Sequence, residues 1–267
     1  MRKYIILLLL ITLVTVVSGC QQKQYSAENT DKSNINTEHK SEPVSLMGEE
    51  EEPDQENETS SEEDTEADKK EALEVVENPA SVSIVVNKQR KLPDGYEPPD
   101  LVEADVSYYA PEGDPKRLIR QEAAGALESL FAAAKQEGLE LVAVSGYRSY
   151  QRQKVIYENN VAANGQEHAD KFSAKPGTSE HQTGLAMDVA SAALVSVLEQ
   201  SFIETDEGQW LEDHAHEHGF IIRYPEGKED ITGYSYEPWH LRYVGKDIAS
   251  EIYEAQSTLE EYFGLLP

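Results

Sequence analysis

From residue 21 to about residue 80 the chain has no hydrophobic periodicity, so any packed core must come from the residues beyond 80. Between Glu49 and Glu71 there are thirteen acidic residues against only Lys69 and Lys70, a net charge of −11. Such a stretch cannot bury enough apolar surface to offset the entropy of ordering it, and its like charges favour extension. Residues 20–80 are therefore expected to be an acidic, disordered tether, serving as a spacer or as a tail without a specific role. The whole chain carries a formal net charge of −28 and has no Lys/Arg cluster, which argues against nucleic acid as a partner.

Ahead of the tether, Arg2 and Lys3 precede an apolar run from Tyr4 to Val17. The run is short for a membrane span and suits the hydrophobic region of a signal peptide. It ends in Val17-Ser18-Gly19-Cys20, which resembles a bacterial lipobox. The resemblance implies a lipoprotein signal peptide over residues 1–19, cleavage before Cys20 and lipid modification of that residue. The expected location is extracytoplasmic, anchored to the bacterial cell membrane. An ordinary secretory signal or an uncleaved anchor is the alternative. Cys20 is the only cysteine, which excludes an intrachain disulfide and a cysteine-based zinc site. A metal would have to be held by His, Asp or Glu.

Residues 81–267 carry the folding signals. Ser81–Val86 reads as a short strand or extended segment, and Asn87–Asp100 as an irregular stretch punctuated by Pro and Gly. Lys116–Gly138 has helical periodicity, and Leu139–Ser145 reads as a strand. Ser149–Asn164 reads as a helix, Leu185–Ala190 as a strand, and Asp206–His218 as a helix closed by Gly219. Phe220–Tyr224 and Tyr234–Val244 read as strands, and Lys246–Phe263 as a last helix. Short strands between early and late helices predict an α+β domain, with a small antiparallel sheet flanked by helices.

Two clusters carry chemistry: Ser179-Glu-His-Gln-Thr-Gly-Leu-Ala-Met-Asp188 and Glu237-Pro-Trp-His240. A hydrolytic zinc site needs three protein ligands and one open position. His181, Asp188 and His240 can supply the ligands if a turn at Gly184 lets the first two converge. Glu237, three residues before His240, is close enough to act on water at the open position without ligating. A second histidine group, His214, His216 and His218, places His214 and His218 on one helix face, but it lacks an evident third ligand and the HExxH arrangement.

Ser179-x-His181-x6-Asp188 followed by Glu237-x2-His240 resembles the D-alanyl-D-alanine carboxypeptidases of the VanY type and the related LdcB-like L,D-carboxypeptidases. Ser145-Gly-Tyr-Arg-Ser-Tyr150 with Gln153, Gly219-Phe-Ile-Ile-Arg-Tyr-Pro225 and Ile231–Gly245 fit the same pattern. The likeness runs over roughly residues 82–257. It implies zinc bound by His181, Asp188 and His240, with Glu237 as general base and then proton donor. It implies Arg148 at the scissile carbonyl or the substrate carboxylate, and Gln153 and Ser179 as substrate-positioning groups. The implied fold is the small zinc fold shared by D,D-peptidases and the Hedgehog signalling domain, and the implied substrate is a peptidoglycan stem peptide; separately from the resemblance, a monomer is expected. Removal of the last D-alanine from a D,D-pentapeptide is the expected reaction. L,D-cleavage of a tetrapeptide, an endopeptidase and a non-catalytic wall-binding module are the alternatives. On residue type alone, Arg148 could simply pair with a carboxylate, Ser179 could cap a turn, Gln153 could face solvent, and Trp239 could pack or line the pocket.

Overall fold

The computed structural model describes residues 73–194 and 198–265; the apolar N-terminal run, Cys20 and the acidic stretch through residue 72 lie outside the described residues. The strands are β1 (Glu74–Val75), β2 (Arg90–Lys91), β3 (Leu101–Glu103), β4 (Leu118–Arg120), β5 (Leu141–Ser145), β6 (Ala186–Ser191), β7 (Phe220–Tyr224) and β8 (Glu237–Tyr243). The helices are α1 (Gln121–Gln136), α2 (Tyr150–Asn164), α3 (Gln166–Phe172), α4 (Asp206–His214), α5 (Glu229–Thr232), α6 (Lys246–Ala255) and α7 (Leu259–Phe263).

Four strands form the central sheet in the order β5-β6-β8-β7, with every neighbour antiparallel. Its two faces differ because side chains alternate along a strand and residues directly opposite share a face. Met187 opposes Leu241 and Ile222 opposes Leu241 on one face. There they join Val189, Phe220 and the buried Leu127 and Leu130 of α1 in the main apolar core. On the other face Asp188 opposes His240 and Ala186 opposes Arg242. The same sheet thus packs a core on one side and presents acid, imidazole and guanidinium groups on the other. A smaller cluster of Val85, Ile221, Val244, Ile252 and Leu259 seats α6 and α7.

Two irregularities lie beside the polar groups. One falls between Ala143 and Ser145 of β5, where Ser145 meets Asp188. The other falls between the pairs Ile222–Leu241 and Tyr224–Glu237, over which β7 advances two residues and β8 four. Extra residues of this kind turn a strand and re-aim its side chains. Regular alternation would put Glu237 and His240 on opposite faces; the irregularity brings them to the same one.

The α+β class and the central antiparallel sheet match the sequence reading, but several boundaries differ for physical reasons. Ser81–Val86 is not a sheet strand. Its carbonyls at Val82 and Ile84 accept from Arg242 Nη2 at 3.0 and 2.6 Å instead. The helix expected from Lys116 begins at Gln121, because residues 118–120 pair with β3 and Leu118 O accepts from Tyr147 N. The long C-terminal helix is two helices. Gln256 turns left-handed at φ 50°, and Thr258 with Glu261 forms a capping box that starts α7. The last turn of the Asp206–His218 helix tightens to a 3-10 helix over Ala215–His218 before Gly219. Glu74 and Val75, within the stretch read as tether, pair in parallel with Arg90 and Lys91.

Candidate active site

The SEHQ segment, Ser179 to Gln182, leads into a single 3-10 turn (Glu180–Thr183) that Gly184 closes at φ 65°. A side chain at Gly184 would meet Leu101 Cδ2 at 2.8 Å and Arg120 Cγ at 2.9 Å, so this reversal needs glycine on both conformational and steric grounds. The turn swings His181 over β6, where its Nε2 lies 3.4 Å from Asp188 Oδ2. From β8, His240 Nδ1 lies 3.0 Å from Asp188 Oδ1, and the two imidazoles meet edge to face at 5.0 Å.

The three donors fit a metal. One ligand atom from each of His181, Asp188 and His240 lies within 4.8 Å of the others, and all three residues are buried. Two donors bound about 2.1 Å from one tetrahedral ion stand roughly 3.4 Å apart, against spacings around Asp188 of 3.4 Å to His181 and 3.0 Å to His240. The donor set, two imidazoles and a carboxylate, suits zinc and leaves a position open. Each histidine also has its second nitrogen engaged, as metal-ligating imidazoles usually do. His181 Nδ1 lies 2.8 Å from Gly146 O, and His240 Nε2 lies 3.4 Å from Glu180 Oε2. Burial pushes His181 down to about 4, assisted by Arg148, so it is neutral at pH 7. Burial opposes charge on His240 as well, but its bonds to Asp188 and Glu180 outweigh it and raise this group to about 10. Burial works against the Asp188 carboxylate, yet His181, His240 and Arg148 hold it below its ordinary value.

Above these ligands is a cavity of about 230 Å³ lined by Arg148, Gln153, Ser179, His181, Glu237 and His240, among others. It therefore gathers every sequence-predicted catalytic and substrate-positioning residue, with Asp188 beneath. Glu237 Oε2 stands 3.8 Å from His240 Nδ1. Burial, with Asp188 and Glu180 nearby, raises its carboxyl to about 7 despite His240 and Arg148. That value suits a group that must accept and return a proton near neutrality.

Arg148 is aimed by its surroundings. Gly146 N donates to Lys116 O, Tyr147 N to Leu118 O and Arg148 N to His181 O, which straps the segment beside the ligand turn. Its Nη1 donates to Gln153 Oε1 at 3.1 Å, and Gln153 Nε2 donates to Ala174 O at 2.6 Å. Gln153 is buried and holds Arg148, so it does not sit on a solvated helix face. Ser179 is buried at the pocket wall, and its hydroxyl does not cap the turn. Trp239 faces away and packs against the main core. The other histidines diverge: His214 stacks on Trp210, His216 on Tyr253, and His218 Nδ1 lies 3.0 Å from Ser129 Oγ. Among the described residues, His181, Asp188 and His240 are the only group of three able to hold a metal.

The VanY family model, D-alanyl-D-alanine carboxypeptidase, matches residues 116–246, which contain all of these site residues. The Bacillus subtilis (strain 168) protein YodJ is 55% identical over 195 residues, 73% of this chain and 71% of its own. The solved structure of the LdcB LD-carboxypeptidase is 54% identical, covers 75% of this chain and 94% of its own, and has a TM-score of 0.71. The chain belongs to the VanY family. A VanY D,D-pentapeptidase variant from a VanB-type vancomycin resistance cassette, solved in complex with Zn(II), is 34% identical. That match covers 68% of this chain and 98% of the relative's, with a TM-score of 0.56.

Sequence reasoning missed part of this VanY-family site. Glu180 sits between two assigned residues, and Arg223 and Arg242 lie inside the matching motifs, yet none was singled out. All three side chains are fully buried. A signal existed: Arg242 is two residues from His240 in a strand, hence on the same face.

Proposed function

We propose that this chain is a zinc carboxypeptidase that removes the terminal D-alanine from peptidoglycan stem peptides. The observation that carries the reading is the convergence of His181, Asp188 and His240 under a pocket that also holds Glu237 and Arg148. Zinc held by those three ligands supplies a Lewis acid that polarises the scissile carbonyl and acidifies water. Glu237 takes the proton of the attacking water and returns it to the departing amine as the C–N bond breaks. Arg148, with a permanent charge and a planar fork, pairs with the substrate's terminal carboxylate or with the oxyanion that develops. Gln153 keeps that fork in place, and Ser179 contributes a hydroxyl at the pocket wall.

The greater likeness to the LD-carboxypeptidase than to the D,D-pentapeptidase, 54% against 34% identity, supports the tetrapeptide as preferred substrate. Membership of a family of D-alanyl-D-alanine carboxypeptidases supports the D,D reaction as the second reading. Incubating the zinc-loaded chain separately with a pentapeptide ending in D-Ala-D-Ala and a tetrapeptide ending in one D-Ala distinguishes them by mass spectrometry. Loss of alanine from the tetrapeptide alone is expected. Loss from the pentapeptide alone would reverse the preference, and no loss from either would point to an endopeptidase or a wall-binding module.

The address proposed is the outer face of the bacterial membrane, with Cys20 lipidated and the acidic stretch as spacer. Cys20→Ser should move the protein from the membrane fraction to the soluble fraction. Continued sedimentation with membranes would rule out the lipid anchor.

A further inference from the structure

Beneath the pocket is a cluster of charges that the hydrolytic reaction does not use. Glu180 Oε1 accepts from Arg223 Nε at 2.7 Å and from Arg242 Nη1 at 2.8 Å. Its other oxygen, Oε2, faces His240 Nε2 at 3.4 Å. Arg223 turns its remaining nitrogens to Glu260 of α7, Nη1 to Oε2 at 2.9 Å and Nη2 to Oε1 at 2.6 Å. Asn87 Nδ2 adds a bond to Glu260 Oε1 at 3.1 Å. Arg242 spends its other donors on the carbonyls of Val82, Ile84 and Tyr243.

As a device for stability alone, this cluster is poor. Desolvating several charges costs about as much as their attraction returns, and apolar side chains of similar volume often serve as well. What the cluster does uniquely is orient one carboxylate. Two guanidiniums grip Oε1 from the strands β7 and β8, which leaves Oε2 pointing at one ring nitrogen of a metal ligand.

We propose that Glu180 is a positioning residue that presents His240 to the metal, holding a proton on Nε2 so that Nδ1 offers its lone pair beside Asp188. The proposal rests on the zinc reading. Gly146 O does the corresponding service for Nδ1 of His181, so the two histidines use opposite nitrogens. The partners differ in strength: a carbonyl for His181, and a carboxylate for His240, which makes His240 the more strongly donating ligand. Arg223, Arg242 and Glu260 act one step further back, tying the aim of Glu180 to the docking of α7.

Glu180→Gln tests this sharply. Two arginines donate to the same oxygen, so the carbonyl of the new amide must face them. Its NH₂ then faces His240 Nε2, which forces the ring proton onto Nδ1, the nitrogen needed by the metal. Zinc affinity, read by competition with a chromophoric chelator, should fall about 10–100-fold, the usual cost of losing such a partner. The absorption bands of the cobalt-substituted protein should shift as well, a change that a loss of global stability would not produce. A second measurement needs no variant: nitrogen-15 spectra of the histidine rings in the zinc-loaded wild type should show the His240 proton on Nε2. Wild-type affinity in Glu180→Gln, or a wild-type His240 proton on Nδ1 with zinc bound, would overturn the proposal while leaving the zinc reading intact. Failure of the wild type itself to take up zinc would overturn both.

Discussion

Removing the carboxylate of Glu237, the proposed general base, should make the metal-free protein more stable. Glu237 is raised from its ordinary 4.5 to about 7, first by burial and then by Asp188 and Glu180. At about 1.36 kcal/mol per tenfold change in proton affinity, this is about 3 kcal/mol of strain in the ionised folded state. About 28% of the side chain remains open to solvent, which brings the working figure closer to about 2 kcal/mol. The sign follows from linkage. Above pH 7 Glu237 is ionised both folded and unfolded, and the penalty is fully felt. Below pH 4.5 it is protonated in both states, and the penalty vanishes. A glutamine cannot ionise, so Glu237→Gln should gain those 2 kcal/mol at pH 8.5 and nothing at pH 4. For a folded part of this size, the gain corresponds to about 4–8 °C in Tm. The assay is thermal unfolding of chelator-treated wild type and variant at both pH values, comparing the difference so that other carboxylates cancel. Adding zinc should shrink the gain, because the cation compensates the ionised carboxylate, while turnover falls by several powers of ten. Equal Tm at pH 8.5, or a gain that persists at pH 4, would refute the reasoning.

Three further variants separate the parts of the site. His240→Ala should lose both zinc and turnover; full metal content by atomic absorption would show the ligand set to be wrong. Gly146→Ala would bring a methyl within 2.4 Å of Leu118 O and 2.7 Å of Met187 Cε, so the strap must shift. It should cost about 1–3 kcal/mol in denaturant unfolding and weaken zinc binding by displacing the carbonyl that holds His181. Unchanged zinc affinity would show that the Gly146 carbonyl is dispensable. Gln153→Ala should leave zinc content unchanged and lower kcat/KM by about 10–100-fold, since a bond that orients a charged group is lost. An unchanged kcat/KM would return Gln153 to a packing role.

What could be read from the chain, and what could not, divides along the range of the interactions. The ligand turn was legible because its signals are local: Gly184 marks a reversal, and His181 and Asp188 stand on either side of it. The strands β5, β6 and β7 were legible from short apolar runs bounded by glycine or polar residues. Ser81–Val86 could be read as a strand or an extended segment because it too is a short apolar run, and the strand alternative is the one that fails. Its carbonyls were claimed by Arg242, some 160 residues away, which periodicity cannot foresee. The capping box that divides the C-terminal helix was visible as Thr258-x-x-Glu261, but the continuous periodicity of Lys246–Phe263 masked it. Glu237 and His240, at a spacing of three, do not share a face of a regular strand. Their meeting depends on the irregularity in β8, a property of the pairing with β7 and not of either segment alone.

The same dependence on pairing explains the protonation of the site. With both histidines neutral, the carboxylates of Glu180, Asp188, Glu237 and Glu260 outnumber the guanidiniums of Arg148, Arg223 and Arg242 by one. Without a cation a single proton balances the buried site, and it falls on His240, which is raised to about 10; Glu237, raised to about 7, takes up a further proton only as the pH falls below neutrality. Zinc uptake requires His240 to give up that proton, so binding is coupled to proton release. A divalent ion then turns the deficit of one into an excess of one positive charge. A peptide that ends in a free carboxylate brings the single negative charge that cancels it, whereas an internal peptide bond brings none. Charge balance in the buried site therefore favours trimming at a chain end over cutting within a chain, independently of the shape of the pocket.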